Sequence, residues 1–257
     1  MSMLTIDDIN LHYSVAGEGT PIVFVHPPLL TGENFKYQKE ELSKFFKVIT
    51  FDIRGHGKSN YSSTPITYEL IVEDIKKLLD HLGIQETFLC GYSTGGTIVL
   101  EFLLSNFDRS LGGMLIGGIS DAKEKMLYKK ISIARNLAKI GAKKLLAGGI
   151  CLGNSDSNKT FKCLYKEAIK GDIKNIEQYY HYSMVYNCTP RLANIKPPIL
   201  LVYGEKDKQF HSYANLLHER IPNNELKFIK KAKHQIPTKN PKELNMLIKQ
   251  FINRVEG

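Results

Sequence analysis

The sequence predicts an α/β fold: a mostly parallel sheet flanked by helices, interrupted by an all-helical insertion. Three observations carry this. Between residues 21 and 118, short apolar runs alternate with amphipathic helical segments across short loops. From about Ile119 the strand signal stops, and helical periodicity continues alone to about residue 194. From Pro197-Pro198 onward, strand and helix alternate again. The division that follows is 1–118 and 195–257 for the core, with 119–194 inserted. A chain of 257 residues, 42% of them hydrophobic, is long enough for one core carrying such an insertion.

Residues 4–6 and 11–15 alternate apolar and polar side chains around Asp7-Asp8, the pattern of a hairpin, and Gly17-Glu18-Gly19 is a turn. Pro21-Ile22-Val23-Phe24-Val25 is apolar almost throughout, as a strand buried on both faces requires, and ends in His26-Pro27-Pro28-Leu29-Leu30. A second buried strand, 48–51, leads into the glycine-punctuated loop Asp52-Ile53-Arg54-Gly55-His56-Gly57-Lys58-Ser59. Ile71, Ile75, Leu78, Leu79 and Leu82 share one face of a helix over 68–82, stopped by Gly83. Next come a strand at 88–90, a helix at 97–104 that is apolar nearly all round, and a strand at 113–117.

Segments 121–140, 159–170 and 173–187 have helical periodicity, with Gly148-Gly149 and residues 153–158 as breaks. A strand at 199–203, a helix at 214–221 and a strand at 225–229 resume the alternation. The last helix opens with Asn240 as its cap, Pro241 at its first position and Glu243 at its third, and buries Leu244, Leu247, Ile248, Phe251 and Ile252.

The chemistry centres on Leu89-Cys90-Gly91-Tyr92-Ser93-Thr94-Gly95-Gly96. A strand runs into a turn with glycine two residues either side of one serine, and a helix follows at once. This is the G-x-S-x-G pattern in its strand–turn–helix context. The strained turn leaves no room for side chains at the glycines, and it holds the serine oxygen at the positive end of the next helix.

A nucleophilic serine needs a base, and the base needs an acid. In an open α/β sheet such groups gather at the carboxyl ends of strands. Of the eight histidines, only His234 lies in a strand-to-helix loop after both Ser93 and a candidate acid. Asp207, immediately after strand 199–203, is the chosen acid; Asp121 and then Glu205 are the alternatives. Asp52 precedes the serine and reads as a turn-capping or Asp-Arg group.

The net charge of +9 lies wholly between residues 121 and 196, which hold 15 Lys+Arg against 6 Asp+Glu. The lysines come singly and in pairs, without the interleaved aromatics of a nucleic-acid site, so no nucleic-acid partner is expected. A solvated helical face accounts for them; attraction of an anionic substrate or an acidic membrane surface is the alternative. The four cysteines have no metal-ligand spacing and read as thiols. No basic leader and no apolar run of spanning length appear, so the expectation is a cytoplasmic protein without stable membrane insertion.

Taken together, the loop 51–59, the serine turn 91–96, Tyr203-Gly204-Glu205-Lys206-Asp207 and Ala232-Lys233-His234 followed by Asn240-Pro241 resemble the α/β-hydrolase fold family over essentially the full chain. That family uses the order Ser, Asp, His. The resemblance implies an eight-stranded core, a helical cap over 119–194 and a cofactor-free, metal-free Ser93–His234–Asp207 triad. A serine nucleophile resembles the family's esterase, thioesterase and C–C hydrolase members.

One departure stands out. Family members read His-Gly after strand three, and the residue after that glycine donates a backbone N–H to the oxyanion. Here that residue is Pro28, which has no N–H. Thr94 N–H remains, and Leu29 N–H is expected to replace the missing donor through a shifted loop. Pro28 and Tyr92 are expected in the substrate pocket; for the aromatic run Tyr179–Tyr186, packing against the core is the expectation at helical spacing and lining the pocket is the alternative. The implied activity is hydrolysis of small or medium carboxylic esters through an acyl-enzyme. The alternatives are C–C hydrolysis, haloperoxidase-like activity, and a ligand-binding or signalling protein on the same scaffold, which the double proline favours.

Overall fold

Eight strands form one sheet in the order β1-β2-β4-β3-β5-β6-β7-β8. The structure is a computed structural model and describes residues 2–7 and 9–257. β1 (Ser2–Ile6) and β2 (Ile9–Ala16) make the expected antiparallel hairpin. In the turn between them Asp7 has a φ of 52°, and Asp8 lies outside the described residues. β3 (Pro21–Val25), α1 (Lys36–Leu42), β4 (Lys47–Phe51) and α2 (Tyr68–His81) follow. The short α1 had no clear periodicity in the sequence; it carries only two buried residues, Gln38 and Leu42.

The second half of the core is β5 (Thr87–Tyr92), α3 (Thr94–Ser105) and β6 (Ser110–Ile116). Four helices stand between β6 and the next strand: α4 (Lys125–Lys139), α5 (Lys143–Gly153), α6 (Asn158–Ala168) and α7 (Ile173–Val185). The chain closes with β7 (Ile199–Gly204), α8 (His211–Arg220), β8 (Asn224–Ile229), a single helical turn α9 (Ile236–Lys239) and α10 (Pro241–Glu256). β2 pairs antiparallel with β4, and every pairing from β4 to β8 is parallel.

The apolar runs explain the centre of the sheet. Ile22 to Val25, Phe88 to Cys90 and Ile199 to Tyr203 are buried on both faces. α3, apolar on nearly every side, is buried from Thr94 to Leu103 and packs on β3, β5 and β6. Each large apolar side chain so buried contributes roughly 1.5–3 kcal/mol, so the ends of these strands are firmly placed. β3 leads to β4 on one side, while β5 returns on the other. The carboxyl ends of β3 and β5 therefore flank the point where the strand order reverses, which is where open α/β sheets form a crevice.

Two local expectations are corrected. Gly148 and Gly149 lie inside α5 and do not break it. Burial of Leu146, Ala147 and Cys151 holds that helix, outweighing a glycine penalty of about 1 kcal/mol each. The break is at Gly141, whose φ is +77° and after which Ala142 N–H donates to Leu137 O. Asn240 precedes α10 but makes no side-chain cap hydrogen bond. Its N–H instead donates to Ile236 O and ends α9. Pro241 takes the first helical position as expected. Among the described residues no helix is long and apolar enough to cross a membrane, and all four cysteines are free thiols.

Candidate active site

Ser93 sits at the sharp turn between β5 and α3, with φ 54° and ψ −124°. For a residue with a side chain such a conformation costs roughly 1–3 kcal/mol and persists only where its surroundings enforce it. Here Ser93 N–H donates to Ile116 O at 2.8 Å, and Ser93 O accepts from Gly96 N–H at 2.9 Å. A Cβ on Gly91 would lie 2.4 Å from Gly95 O, and one on Gly95 2.2 Å from Val25 O. The glycine spacing read in the sequence is thus a steric requirement of the turn.

His234 follows β8 and Asp207 follows β7, and the two loops are tied together. Lys206 N–H donates to Ala232 O at 2.8 Å, and a Cβ on Gly204 would come within 2.5 Å of the same oxygen. His234 Nδ1 is 2.7 Å from Asp207 Oδ2, and its Nε2 is 3.1 Å from Ser93 Oγ. An ionised carboxylate only accepts, so Nδ1 carries the proton and Nε2 is left to accept from the serine hydroxyl.

Packing fixes the imidazole plane as well. The Phe210 ring stacks on it with centroids 4.0 Å apart at 25°, and the Tyr92 ring lies 5.3 Å away. Gly117 leaves the space: a Cβ there would be 2.7 Å from His234 Cε1.

The other acids do other work. Asp121 accepts from Lys123 N–H and from the Thr189 hydroxyl. Glu205 accepts from Lys231 N–H. Asp52 ties its own loop together, accepting from Gly32 N–H and Lys58 N–H and pairing with His12 Nδ1. Arg54 forms its buried pair with Asp74 instead.

His26 and His56 are both fully buried beside this loop. His26 Nε2 accepts from Ile53 N–H at 2.9 Å, so its Nδ1 donates to Pro27 O. Burial holds its pKa below the usual histidine value. Neutral His26 therefore clamps the loop after β3 to the loop after β4.

Ser93 opens into a cavity of about 390 Å³. Both expected pocket residues, Pro28 and Tyr92, line it, as do Thr94 and Leu30. The opposite wall is built by Leu127, Lys130 and Ile131 of α4, Ile150 of α5 with Asn154 just after that helix, and Tyr180 of α7. The Tyr92 hydroxyl, its pKa pushed up by burial and by Asp207, donates to Asn154 Oδ1 at 3.0 Å and joins the two walls.

Of the aromatic run 179–186, Tyr180 alone among the tyrosines lines this cavity. Tyr179, Tyr182 and Tyr186 recur on one helix face and pack around Tyr68. Phe210 and Asn154 had no signal in the sequence, because their roles depend on contacts between distant segments. A larger groove between α1 and α10, lined by Tyr37, Phe45 and Met246, contains none of Ser93, His234 or Asp207.

Leu29 is fully buried, with a φ of +72°. A proline followed by a residue of left-handed φ is the pattern of a type II turn, whose third position ordinarily takes glycine. Among the described residues, neither Leu29 N–H nor Thr94 N–H donates a hydrogen bond to another group.

The comparisons with known proteins agree with this architecture. The chain is 24% identical over 268 residues to the AB hydrolase superfamily protein YisY of Bacillus subtilis, covering 97% of each. The bromoperoxidase of Bacillus anthracis superposes with a TM-score of 0.88 at 24% identity, over 98% of this chain and 99% of that one. The enol-lactonase of Burkholderia xenovorans LB400 does so with a TM-score of 0.87 at 20% identity, over 98% and 100%. With the family model for serine aminopeptidase, S33, matching residues 39–240, the chain belongs to that family of α/β hydrolases.

Proposed function

We propose that this protein is a cofactor-free serine hydrolase that cleaves small or medium carboxylic esters through an acyl-enzyme. The observation that carries the proposal is the unbroken chain from Asp207 through His234 to Ser93 Oγ at the wall of a partly apolar cavity. In this reading His234 Nε2 takes the Ser93 proton as Oγ attacks the ester carbonyl, then returns it to the departing alcohol. Asp207 holds the imidazole in its Nδ1–H form and stabilises its cation. Water, activated by the same Nε2, releases the acid.

The tetrahedral oxyanion would be held by Thr94 N–H, at the first position of α3, and by Leu29 N–H. The type II turn supports the second donor, because it flips the Pro28–Leu29 peptide relative to an ordinary turn, and that N–H has no other acceptor. The helices over 119–194 act as a cap whose inner face selects substrate. The cavity volume supports a small or medium acyl group.

The test is hydrolysis of p-nitrophenyl esters of increasing chain length. Ser93→Ala and His234→Ala are each expected to lose about 10⁶-fold in kcat while keeping the fold. Activity surviving in both would overturn the assignment. A crystal structure of Ser93 phosphonylated by a fluorophosphonate tests the donors: the phosphonyl oxygen is expected within about 3 Å of both Thr94 N and Leu29 N. A second reading, a ligand-binding protein of poor turnover, draws on Pro27 and Pro28 lining the cavity where the family has a glycine. It predicts slow or no phosphonylation of Ser93 together with tight retention of a small ligand.

A further inference from the structure

Between Lys125 and Ser155 the chain carries seven basic residues and no aspartate or glutamate. In α4 the buried face is Leu127, Ile131, Ala134 and Ala138, and the first two line the cavity. Met126 and Ile133 of α4, and Ile140 just past its end, recur every seven residues away from that buried face. They are 55%, 51% and 75% exposed. α5 repeats the arrangement: Ile150, and Asn154 just past its end, face the cavity, while Leu145 and Leu152, again seven apart, are 68% and 67% exposed. The two helices pack against each other across the turn at Gly141.

Regularly spaced aliphatic side chains left this open are unusual on a soluble monomer and mark an interaction surface. Their neighbours Lys125, Lys129, Lys139 and Lys144 are exposed, and among the described residues they form no ion pair. A second copy of the chain is a poor occupant, because the same positive charges would meet across the interface. An anionic bilayer is complementary on both counts: aliphatic tips enter the boundary of the acyl region while lysines sit among acidic headgroups. We propose that the outward face of α4 and α5 docks this protein on an anionic lipid surface.

The attachment is peripheral. It follows from the residues of this face whether or not Ser93 turns substrate over. One consequence rests on the hydrolase reading above: the inner faces of the same two helices form the cavity wall, so docking holds the site about one helix diameter, ~10 Å, from lipid. Esters that partition into a bilayer are then the favoured substrates.

The test is sedimentation with vesicles of phosphatidylcholine alone and with about 30% phosphatidylserine, using wild type and Ser93→Ala. Both proteins are expected to bind the anionic vesicles and not the neutral ones, and to be released by salt. Ile133→Glu/Leu145→Glu abolishes binding with unchanged melting temperature and unchanged p-nitrophenyl acetate hydrolysis. Lys129→Ala/Lys144→Ala weakens binding roughly thirtyfold. No binding to anionic vesicles, or equal binding to neutral ones, overturns the proposal. So does a concentration-dependent dimer in light scattering that the glutamate variant dissolves. Because Ser93→Ala is assayed for binding alone, failure of docking and failure of the hydrolase reading are told apart.

Discussion

Replacing Asp207 by Asn tests the proposed site most directly, because the change is nearly isosteric and acts through one proton. Asp207 Oδ2 accepts from His234 Nδ1 at 2.7 Å, which leaves Nε2 bare 3.1 Å from Ser93 Oγ. An asparagine can turn its N–H₂ toward Nδ1. The imidazole then moves its proton to Nε2, which can no longer accept from serine. Loss of the correct tautomer and of the carboxylate's stabilisation of the imidazolium together cost about 10⁴-fold in kcat, or about 5.5 kcal/mol.

Phe210 and the Gly117 pocket still hold the ring in place, so fold and KM change little. The assay is kcat and KM for p-nitrophenyl acetate, with Asp121→Asn measured beside it and thermal melting as the check on folding. Asp121 is engaged with Lys123 and Thr189, and its variant is expected within about threefold of wild type, as for a site outside the catalytic group. A fall of less than about tenfold in Asp207→Asn, or an equal fall in Asp121→Asn, refutes the reasoning.

The strain at Ser93 makes a second prediction. With φ 54° and ψ −124°, the position suits glycine, so Ser93→Gly should abolish hydrolysis yet raise stability by about 1 kcal/mol. In a chain of this size that appears as roughly 2–4 °C in Tm; an unchanged or lower Tm would show the turn to be relaxed. A third concerns acid. Burial first, and the nearby His26 second, push the His56 pKa down to about 3, and burial also lowers that of His26. Above about pH 6.5 both histidines are neutral folded or unfolded; below it the unfolded chain takes up protons that the folded chain refuses. Stability therefore falls as pH drops below 6.5, by up to about 1.4 kcal/mol per pH unit for each histidine. Guanidinium unfolding between about pH 7 and 5 should show a shallower slope in His56→Gln, and identical slopes would remove this account.

What the sequence made legible was whatever rests on local sterics or on chain order. Gly91 and Gly95 announce the turn because no other residue fits beside Gly95 O and Val25 O. Asp207 was legible because it follows a buried strand and His234 because it lies in the loop after the next strand, and parallel pairing brings those strand ends together. What escaped depends on contacts between segments far apart in sequence. Periodicity puts Tyr179, Tyr182 and Tyr186 on one helix face, but only the packed structure shows that face turned to Tyr68, with Tyr180 turned to the cavity. Gly148-Gly149 misled because a helix held by buried neighbours tolerates residues of poor propensity on its open side.

The double proline shows the same boundary at its sharpest. From residue type alone it follows that Pro28 has no N–H to give, so any oxyanion hole here lacks the family's donor at that place. Which group replaces it cannot follow from residue type, because it depends on the sign of one dihedral angle. His26 ties Pro27 O to the loop after β4, which limits how far the turn can shift as a body. Within that clamp the left-handed φ of Leu29 turns a peptide instead of moving a loop. A leucine is an unfavourable residue at such an angle, and its side chain is fully buried, so core packing holds the conformation that its backbone resists. If that peptide holds the oxyanion, the left-handed φ of Leu29 makes good the N–H that Pro28 lacks, in a turn whose shape the core enforces.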